Sequence, residues 1–332
     1  MTLGRVQKSQ LEKKFSARRP EAEQVRVSAV TELSEGWETD VYRIAVHYLV
    51  AGTKRRENYV VRLYGGAFGD ERAARESQVL KRSRQAGLPV PRVEFLVRSG
   101  AGLSVPFVVL EEVRGATLAR ALTEGSDREG WLEAMVRLLV SVHRVNPHRL
   151  MEGLSAPHGV IPPDLEAMNQ AAEEYQLAGA DSVLGWLERN AAPVDHTVCL
   201  LHSDFHPGNI MVRDSQLVAL DWSFAEMGDH RLDLAWTALL LTDLLGVSYR
   251  AWLLDSYERL SGRSVSGIDY FEGLKLGARL MTVAAWLEGS LEIPVKKITP
   301  EAIRGDYRIH VVNVYKRWKQ VTRAKIGLFE AI

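Results

Sequence analysis

CLLHSDFHPGNIMVRDSQLVALDWSF, residues 199–224, decides the reading of this chain. Asp204 lies between two apolar runs, in a segment too polar to be a strand. Asn209 follows five residues later, and Asp221 closes a second apolar run, QLVAL. Two carboxylates and an amide, set across a loop and a short hairpin, can converge on one point. That point suits a hard cation such as Mg²⁺, which takes oxygen ligands and shares them with a substrate's phosphates. Phosphoryl transfer asks little more of a protein: a carboxylate to orient the attacking hydroxyl, and a metal to absorb charge. The plain alternative is a tight loop in which Asp204 caps a turn and Pro207-Gly208 reverses the chain. A lone HxD would deserve that reading. The ordered set Asp204, Pro207-Gly208, Asn209 and Asp221 favours the chemical one.

The wording HxDxHPGNI followed by LDW resembles the aminoglycoside phosphotransferase family, which includes choline, homoserine and fructosamine kinases. The resemblance covers about residues 25–245 and is strongest over 200–236. It implies an α+β, two-lobed protein-kinase-like fold. A small antiparallel β-sheet lobe with one key helix would take residues 1–112, with 1–23 as a helical arm. A larger, mainly α-helical lobe would take residues 113–332. In that frame Asp204 is the catalytic carboxylate, Asn209 and Asp221 hold Mg²⁺, and ATP or GTP is the cosubstrate in a cleft between the lobes.

Working outward toward the N-terminus, residues 24–33 and 41–64 read as strands. YRIAVHYLV and NYVVRLY alternate or are β-branched, and the polar stretch AGTKRRE joins them as a hairpin. SEGWETD lies between the first two strands, where Gly36 would let the backbone approach a phosphate. One glycine without a GxGxxG is equally a β-turn, and order along the chain favours the phosphate loop. The family often has asparagine where Thr39 stands. Arg62 occupies the strand position at which a kinase-like fold has a phosphate-gripping lysine, and arginine can hold phosphate in two prongs. A helix opening at Asp70 and ending at Gly87 carries Glu76, which the resemblance pairs with Arg62. FVVLEEV, residues 107–113, resembles the last strand and hinge, where the carbonyl of Glu111 and the N–H of Val113 would read adenine.

Toward the C-terminus helices dominate. Ser126 with Glu129 reads as a capping box, followed by Trp131, Met135, Leu138, Leu139 and Val142 at helical spacing. Residues 151–196 carry eight acids against one base, Arg189. An acidic wall would concentrate a cationic acceptor such as an amine. Solvated helix faces account for the same acids more simply, so no acceptor is named. His202 and His143 read as packed histidines, and Trp222 and Trp236 as core. His206 is a further candidate beside the transferred phosphate. Ser203 stands where glycine is common, so a special backbone angle there would be strained. Asp233 in GDHRLDLAW resembles a buried aspartate that braces the catalytic loop. Helices are expected over 231–245, 248–261, 267–291 and 299–325, the last opened by Thr299-Pro300.

Composition narrows the classes. Of 332 residues, 46% are hydrophobic and 25% charged, as in ordinary soluble globular chains. Lys and Arg number 42 and Asp and Glu 42, so the formal net charge is zero, which speaks against a nucleic-acid partner. Cys199 is the only cysteine, so no intrachain disulfide can form and a cytoplasmic location is expected. No apolar run reaches the ~18 residues of a membrane span, and MTLGRVQKSQLEKKF lacks the apolar core of a signal peptide. The oligomeric state leaves no trace in the sequence.

The expected function is therefore Mg²⁺-dependent transfer of the γ-phosphate of ATP or GTP to a hydroxyl of a small metabolite or antibiotic. The alternative is a kinase-like nucleotide-binding module with weak or no catalysis, suggested by the sparse glycine loop, Thr39 and Arg62. A protein kinase is disfavoured. Asp221 runs straight into GDHRLDLAW and leaves no long activation segment.

Overall fold

The computed structural model describes residues 5–33, 39–66, 68–99, 105–193, 198–291, 299–305 and 307–330. Gly36 lies outside the described residues. The chain divides into two compact units, one built mainly from Met1–Arg84 and Val90–Val113, the other from Gln85–Pro89, Arg114–Ile293 and Ile298–Ile332.

In the first unit, α1 (Arg5–Arg18) precedes β1 (Glu23–Glu32), β2 (Asp40–Val50), β3 (Thr53–Leu63), α2 (Gly69–Gln85), β4 (Val93–Val97) and β5 (Phe107–Glu111). The strands form one antiparallel sheet in the order β1-β2-β3-β5-β4. Alternation sends Tyr42, Ile44 and Val46 of β2, Val61 and Leu63 of β3, and Phe107 and Val109 of β5 into one core. Leu11 and Phe15 of α1 close that core. The β2–β3 turn is tighter than the polar stretch suggested. Ala51 and Gly52 alone make it, at φ 46° and 74°. Two left-handed central residues match the twist of the flanking strands, so Thr53–Glu57 extend β3, with Thr53 opposite Val50. Asp70 is not the N-cap of α2, which begins at Gly69. Its carboxylate instead accepts from the backbone N–H (2.8 Å) and hydroxyl of Ser99, tying the helix to the segment after β4.

The second unit begins with β6 (Ala116–Thr117), α3 (Leu118–Glu124), α4 (Arg128–Arg144), α5 (Pro147–Met151), α6 (Leu165–Tyr175) and α7 (Ala180–Arg189). β7 (Cys199–Leu201), β8 (Ile210–Arg213), β9 (Gln216–Ala219) and β10 (Glu226–Gly228) follow. The unit ends with α8 (Arg231–Leu245), α9 (Ser248–Ser261), α10 (Ile268–Glu288), α11 (Pro300–Arg304), α12 (Arg308–Thr322) and α13 (Gly327–Glu330). β6, β8 and β9 form one small sheet, and β10 pairs with β7 in another. α10 is apolar on most sides and packs against α6, α7, α8 and α12. Gly273 and Gly277 permit the approach of α7, because a Cβ there would meet Trp186 at 2.2 Å and Val183 at 2.6 Å.

Two helix boundaries differ from expectation. α4 is capped by Asp127, whose carboxylate accepts from Gly130 N at 3.0 Å, rather than by Ser126. Asp127 sits one residue nearer the first turn, where an acceptor meets the orphan N–H groups. The helix expected over 299–325 is two: α11, capped by Thr299 as expected, ends at Gly305 and α12 starts afresh at Arg308. Overall, an antiparallel sheet with one flanking helix and a mainly helical second unit make this an α+β fold of the protein-kinase-like kind.

Candidate active site

The loop between β7 and β8 is held by one face of α8. Asp233, Trp236 and Thr237 sit three and four residues apart, so they project from the same side of the helix. Asp233 Oδ2 accepts from His202 N at 2.8 Å, and its Oδ1 from Ser203 N at 2.7 Å. Trp236 Nε1–H donates to Asp204 Oδ1 at 2.7 Å, and Thr237 Oγ1–H to Phe205 O at 2.7 Å. Four successive loop residues therefore take their positions from α8. The brace has a reason. Ser203 adopts φ 65°, which costs a non-glycine residue about 1–2 kcal/mol. The bond from Ser203 N to Asp233 helps hold that angle, and Ser203 Oγ–H donates to Glu226 Oε1 at 2.7 Å.

His202 shapes the loop rather than carrying protons. It is fully buried and donates from Nε2 to Leu220 O at 2.8 Å, while Nδ1 accepts from Asp204 N at 3.3 Å. Burial pushes its pKa down, against the pull of Asp233 and Asp204, and keeps the ring neutral. Asp233 is itself fully buried. Burial alone would raise its pKa, but the hydrogen bond and field of His143, 3.1 Å away, with His202, hold it below the usual carboxylate range. His143 also faces the Tyr257 hydroxyl at 2.7 Å, as a packed histidine should.

At the tip of this loop, Asp204 and Asn209 touch. Asn209 Nδ2–H donates to Asp204 Oδ2 at 2.7 Å and to Asp204 O at 3.1 Å. With its nitrogen turned to Asp204, the amide leaves its oxygen as a donor for a cation. Asp221 enters from the other strand of the β8–β9 hairpin, one residue past Leu220, whose N–H donates to Asn209 O at 2.8 Å. It takes φ 56°, and Ser223 Oγ–H steadies its Oδ1 at 2.9 Å. His206 accepts from Gly208 N through Nδ1 at 3.1 Å and holds Nε2 3.7 Å from Asp204 Oδ2. Burial lowers the His206 pKa, but the carboxylates of Asp204 and Asp221 outweigh it and raise it above its ordinary value. Burial likewise pushes Asp204 up. The nearby His206 and the N–H of Trp236 win and hold it well below the ordinary carboxylate range, so it is ionised at neutral pH.

In the first unit Arg62 and Glu76 meet. Arg62 Nη1 lies 2.9 Å from Glu76 Oε1, and Nη2–H donates to Thr39 Oγ1 at 3.0 Å. The Tyr64 hydroxyl donates to Glu76 Oε2. The guanidinium is thus held on two sides. Glu111 ends β5, opposite Tyr59, and its N–H donates to Arg92 O at 2.9 Å. Val113 lies two residues beyond that strand. Arg62, Glu76, Glu111 and Val113 belong to the first unit, and Asp204, Asn209 and Asp221 to the second.

The acids of residues 151–193 do not gather at the loop. Glu152, Glu166, Glu173, Glu174, Asp181 and Glu188 are exposed, and Asp164 caps α6 through Ala167 N at 3.0 Å. Asp195 lies outside the described residues. Trp236 is buried, as its reading as core expected, and its bond to Asp204 is the contact that sequence reasoning did not foresee. Its spacing of three from Asp233 was the available signal.

Comparison with known proteins bears on this arrangement. The profile of the phosphotransferase enzyme family matches residues 29–268, more than half of the chain. The chain belongs to this family. The loop described above sits within the matched region. Acyl-CoA dehydrogenase family member 10 of Mus musculus is 26% identical over 175 residues, 50% of this chain but 16% of that protein. The chain thus spans a small part of that curated relative. Among solved structures, a Ralstonia eutropha protein assigned to the aminoglycoside phosphotransferases has a TM-score of 0.63 at 14% identity, covering 94% of this chain and 98% of that one. A thermostable APH(4)-Ia variant, in complex with ADP and hygromycin B, has a TM-score of 0.56 at 16% identity, with 94% and 98% covered. A third phosphotransferase, bound to GDP and kanamycin, reaches 0.57 at 16%, again covering 94% and 98%. At such identities the likeness is one of fold.

Among the described residues no helix is long and apolar enough to cross a membrane. No group of three or more His, Cys, Asp and Glu that could hold a metal occurs among them either. The donors expected for a hard cation at the loop, the amide oxygen of Asn209 and the carboxylate of Asp221, are few. That set suits a cation which keeps water and substrate oxygens as its other ligands, as Mg²⁺ does.

Proposed function

We propose that this phosphotransferase moves the γ-phosphate of ATP or GTP to a hydroxyl of a small molecule, with Asp204 as the catalytic carboxylate. The observation that carries the reading is the grip on Asp204. Each of its oxygens accepts an N–H, from Trp236 and from Asn209, so the carboxylate is fixed in direction and ionised. A carboxylate with so low a pKa is a poor base but a good hydrogen-bond acceptor. It aims the acceptor hydroxyl and takes its proton late, which suffices for a loose transition state.

Asn209 and Asp221 would hold Mg²⁺, and the bound ion would neutralise charge on the transferring phosphate. Arg62, kept in place by Glu76 and Thr39, would grip the nucleotide phosphates. Gly36 would approach them through its backbone, and the Glu111 carbonyl and Val113 N–H would read the base. The ADP and GDP bound by the structural neighbours support a nucleotide cosubstrate. The acceptor is a small hydroxyl compound. A cationic one, suggested by the acids of residues 151–196, draws little support from acids that face solvent or cap a helix. A single cysteine that can form no intrachain disulfide fits a cytoplasmic location.

Asp204→Asn tests the reading. Transfer should fall by about 10²–10⁴-fold, the usual worth of a positioned proton acceptor, while nucleotide affinity holds. Retained turnover would remove Asp204 from the reaction.

A further inference from the structure

Trp236 ties Asp204 to a second cluster that the proposed reaction leaves unexplained. Its ring packs edge-on against His310 of α12, with centroids 5.8 Å apart. The ammonium of Lys275, on α10, lies 6.0 Å from the centre of the same ring. One turn along α10, the guanidinium of Arg279 lies 5.6 Å from the ring of Tyr307 and donates to its hydroxyl, and Tyr307 packs on His310 at 4.9 Å. The ring that holds Asp204 through its N–H is therefore itself met by the ammonium of Lys275 and the imidazole of His310.

Two members of this cluster lack the partners such groups usually have. Among the described residues Lys275, half-buried, makes no hydrogen bond or ion pair. The Nε2 of His310 is buried with no hydrogen-bond partner. A buried polar atom without a partner is costly unless a ligand completes it. Glu272, three residues before Lys275 on the same helix, is committed to Arg250 and Arg317, both at 2.6 Å. Burial and the nearby Arg279 push the His310 pKa down to about 3, so the imidazole stays neutral and offers a hydrogen bond without charge.

We infer that the cluster of Trp236, Lys275 and His310 beside Asp204 is an acceptor subsite for an anionic hydroxyl compound, one bearing a carboxylate or a phosphate. The inference rests on Asp204 as the group that aims the hydroxyl. Lys275 pairs with the anion, and His310 Nε2 completes its hydrogen bonding. Lys275 also offsets the repulsion that an anionic acceptor would meet from the ionised Asp204. A polycationic acceptor would meet like charge at Lys275.

The test offers ATP and GTP with hydroxyl compounds in three sets: hydroxycarboxylates and phosphorylated alcohols, neutral polyols, and amines including kanamycin. Transfer is read by mass gain, with nucleotide binding measured separately. The expected result is turnover confined to, or strongest in, the anionic set. Lys275→Glu should lower the ratio of anionic to neutral kcat/KM by about 10-fold or more, and Lys275→Gln by less, with nucleotide affinity as the check on folding. Turnover of amines in preference to anions overturns the inference and leaves the kinase reading standing. So does an anion-to-neutral ratio that Lys275→Glu does not move. Silence in all three sets, with nucleotide bound, sinks the kinase reading and this inference with it.

Discussion

Two buried carboxylates, one in each unit, hold their surroundings in opposite ways. Glu76 grips side chains, the Arg62 guanidinium and the Tyr64 hydroxyl. Asp233 grips backbone, the N–H groups of His202 and Ser203, and only then the ring of His143. A side chain gripped by a carboxylate can be exchanged for another of the same charge. A backbone gripped by a carboxylate cannot, because the N–H groups stay whatever the residue. The position proposed to grip phosphate should therefore tolerate variation between arginine and lysine, and the brace behind the proposed catalytic loop should tolerate almost none.

The sharpest way to break this comparison is Asp233→Ala. It leaves two buried N–H groups and an imidazole without their acceptor, and it frees a residue held at positive φ. The expected loss is about 3–5 kcal/mol, the range for removing one partner of a buried charged network. Transfer should vanish while any folded fraction still binds nucleotide. Thermal unfolding and a nucleotide titration read the two effects separately. If stability falls by less than ~1 kcal/mol, the loop does not depend on the brace.

Glu76→Gln probes the other carboxylate more gently. Glutamine can still accept from Arg62 or donate to a neighbour, so about 1–3 kcal/mol of stability should go. Nucleotide affinity should fall about 10-fold, worth ~1.4 kcal/mol, as Arg62 loses its fixed direction. The acceptor KM should change little. A larger effect on acceptor than on nucleotide would contradict the assignment of Arg62 and Glu76.

His310 supplies a third arrangement, a buried base with no acid on its unpartnered nitrogen, and pH separates it from the carboxylates. Its folded pKa, about 3, lies below the unfolded value of ~6.5. The unfolded chain therefore binds more protons as pH falls, and stability is lost between ~6.5 and the folded pKa. From pH 7.5 to 5 this should cost on the order of 1–2 kcal/mol, in the protein free of ligand. His310→Gln should remove most of that dependence. Asp233, whose pKa is also depressed, loses its contribution only as pH falls below its unfolded value of ~3.9. The two windows do not coincide. An acid limb unchanged in His310→Gln would assign the effect to another group.

The comparison also explains what could be read in advance. The contact of Asp204 with Asn209 was legible because few other roles put those residue types in that order between apolar runs, while the roles of Asp204, Asn209 and Asp221 are proposed. The Arg62–Glu76 pair was legible from the family resemblance of the strand and helix that carry it. The hydrogen bond from Trp236 to Asp204 was not, because a tryptophan on an apolar helix looks the same whether or not its N–H finds a carboxylate. The cap at Asp127 and the two-residue turn at Ala51-Gly52 escaped for a related reason. Each depends on which of several adjacent polar residues the backbone brings into reach, and composition does not rank them. Lys275 and His310 lie 71 and 106 residues from Asp204 along the chain, and only the packing of α8, α10 and α12 makes them neighbours.

The smallest expected effect is the most exacting test of the brace. Ser203→Gly removes a side chain from a residue at φ 65°, which relieves about 1 kcal/mol of backbone strain. It also deletes the hydrogen bond to Glu226, worth a similar ~1 kcal/mol, and adds freedom to the unfolded chain. The first two terms nearly cancel, so the added freedom leaves a loss of about 0.4–1 kcal/mol, with turnover within about twofold. Ser203→Ala keeps the strain and loses the bond but adds no such freedom, so the two variants should lie within about 0.6 kcal/mol of each other. If the alanine variant is the more stable by the full ~0.4–1 kcal/mol of that freedom, the left-handed angle at 203 is not strained. Asp233 would then hold a conformation the loop adopts by itself.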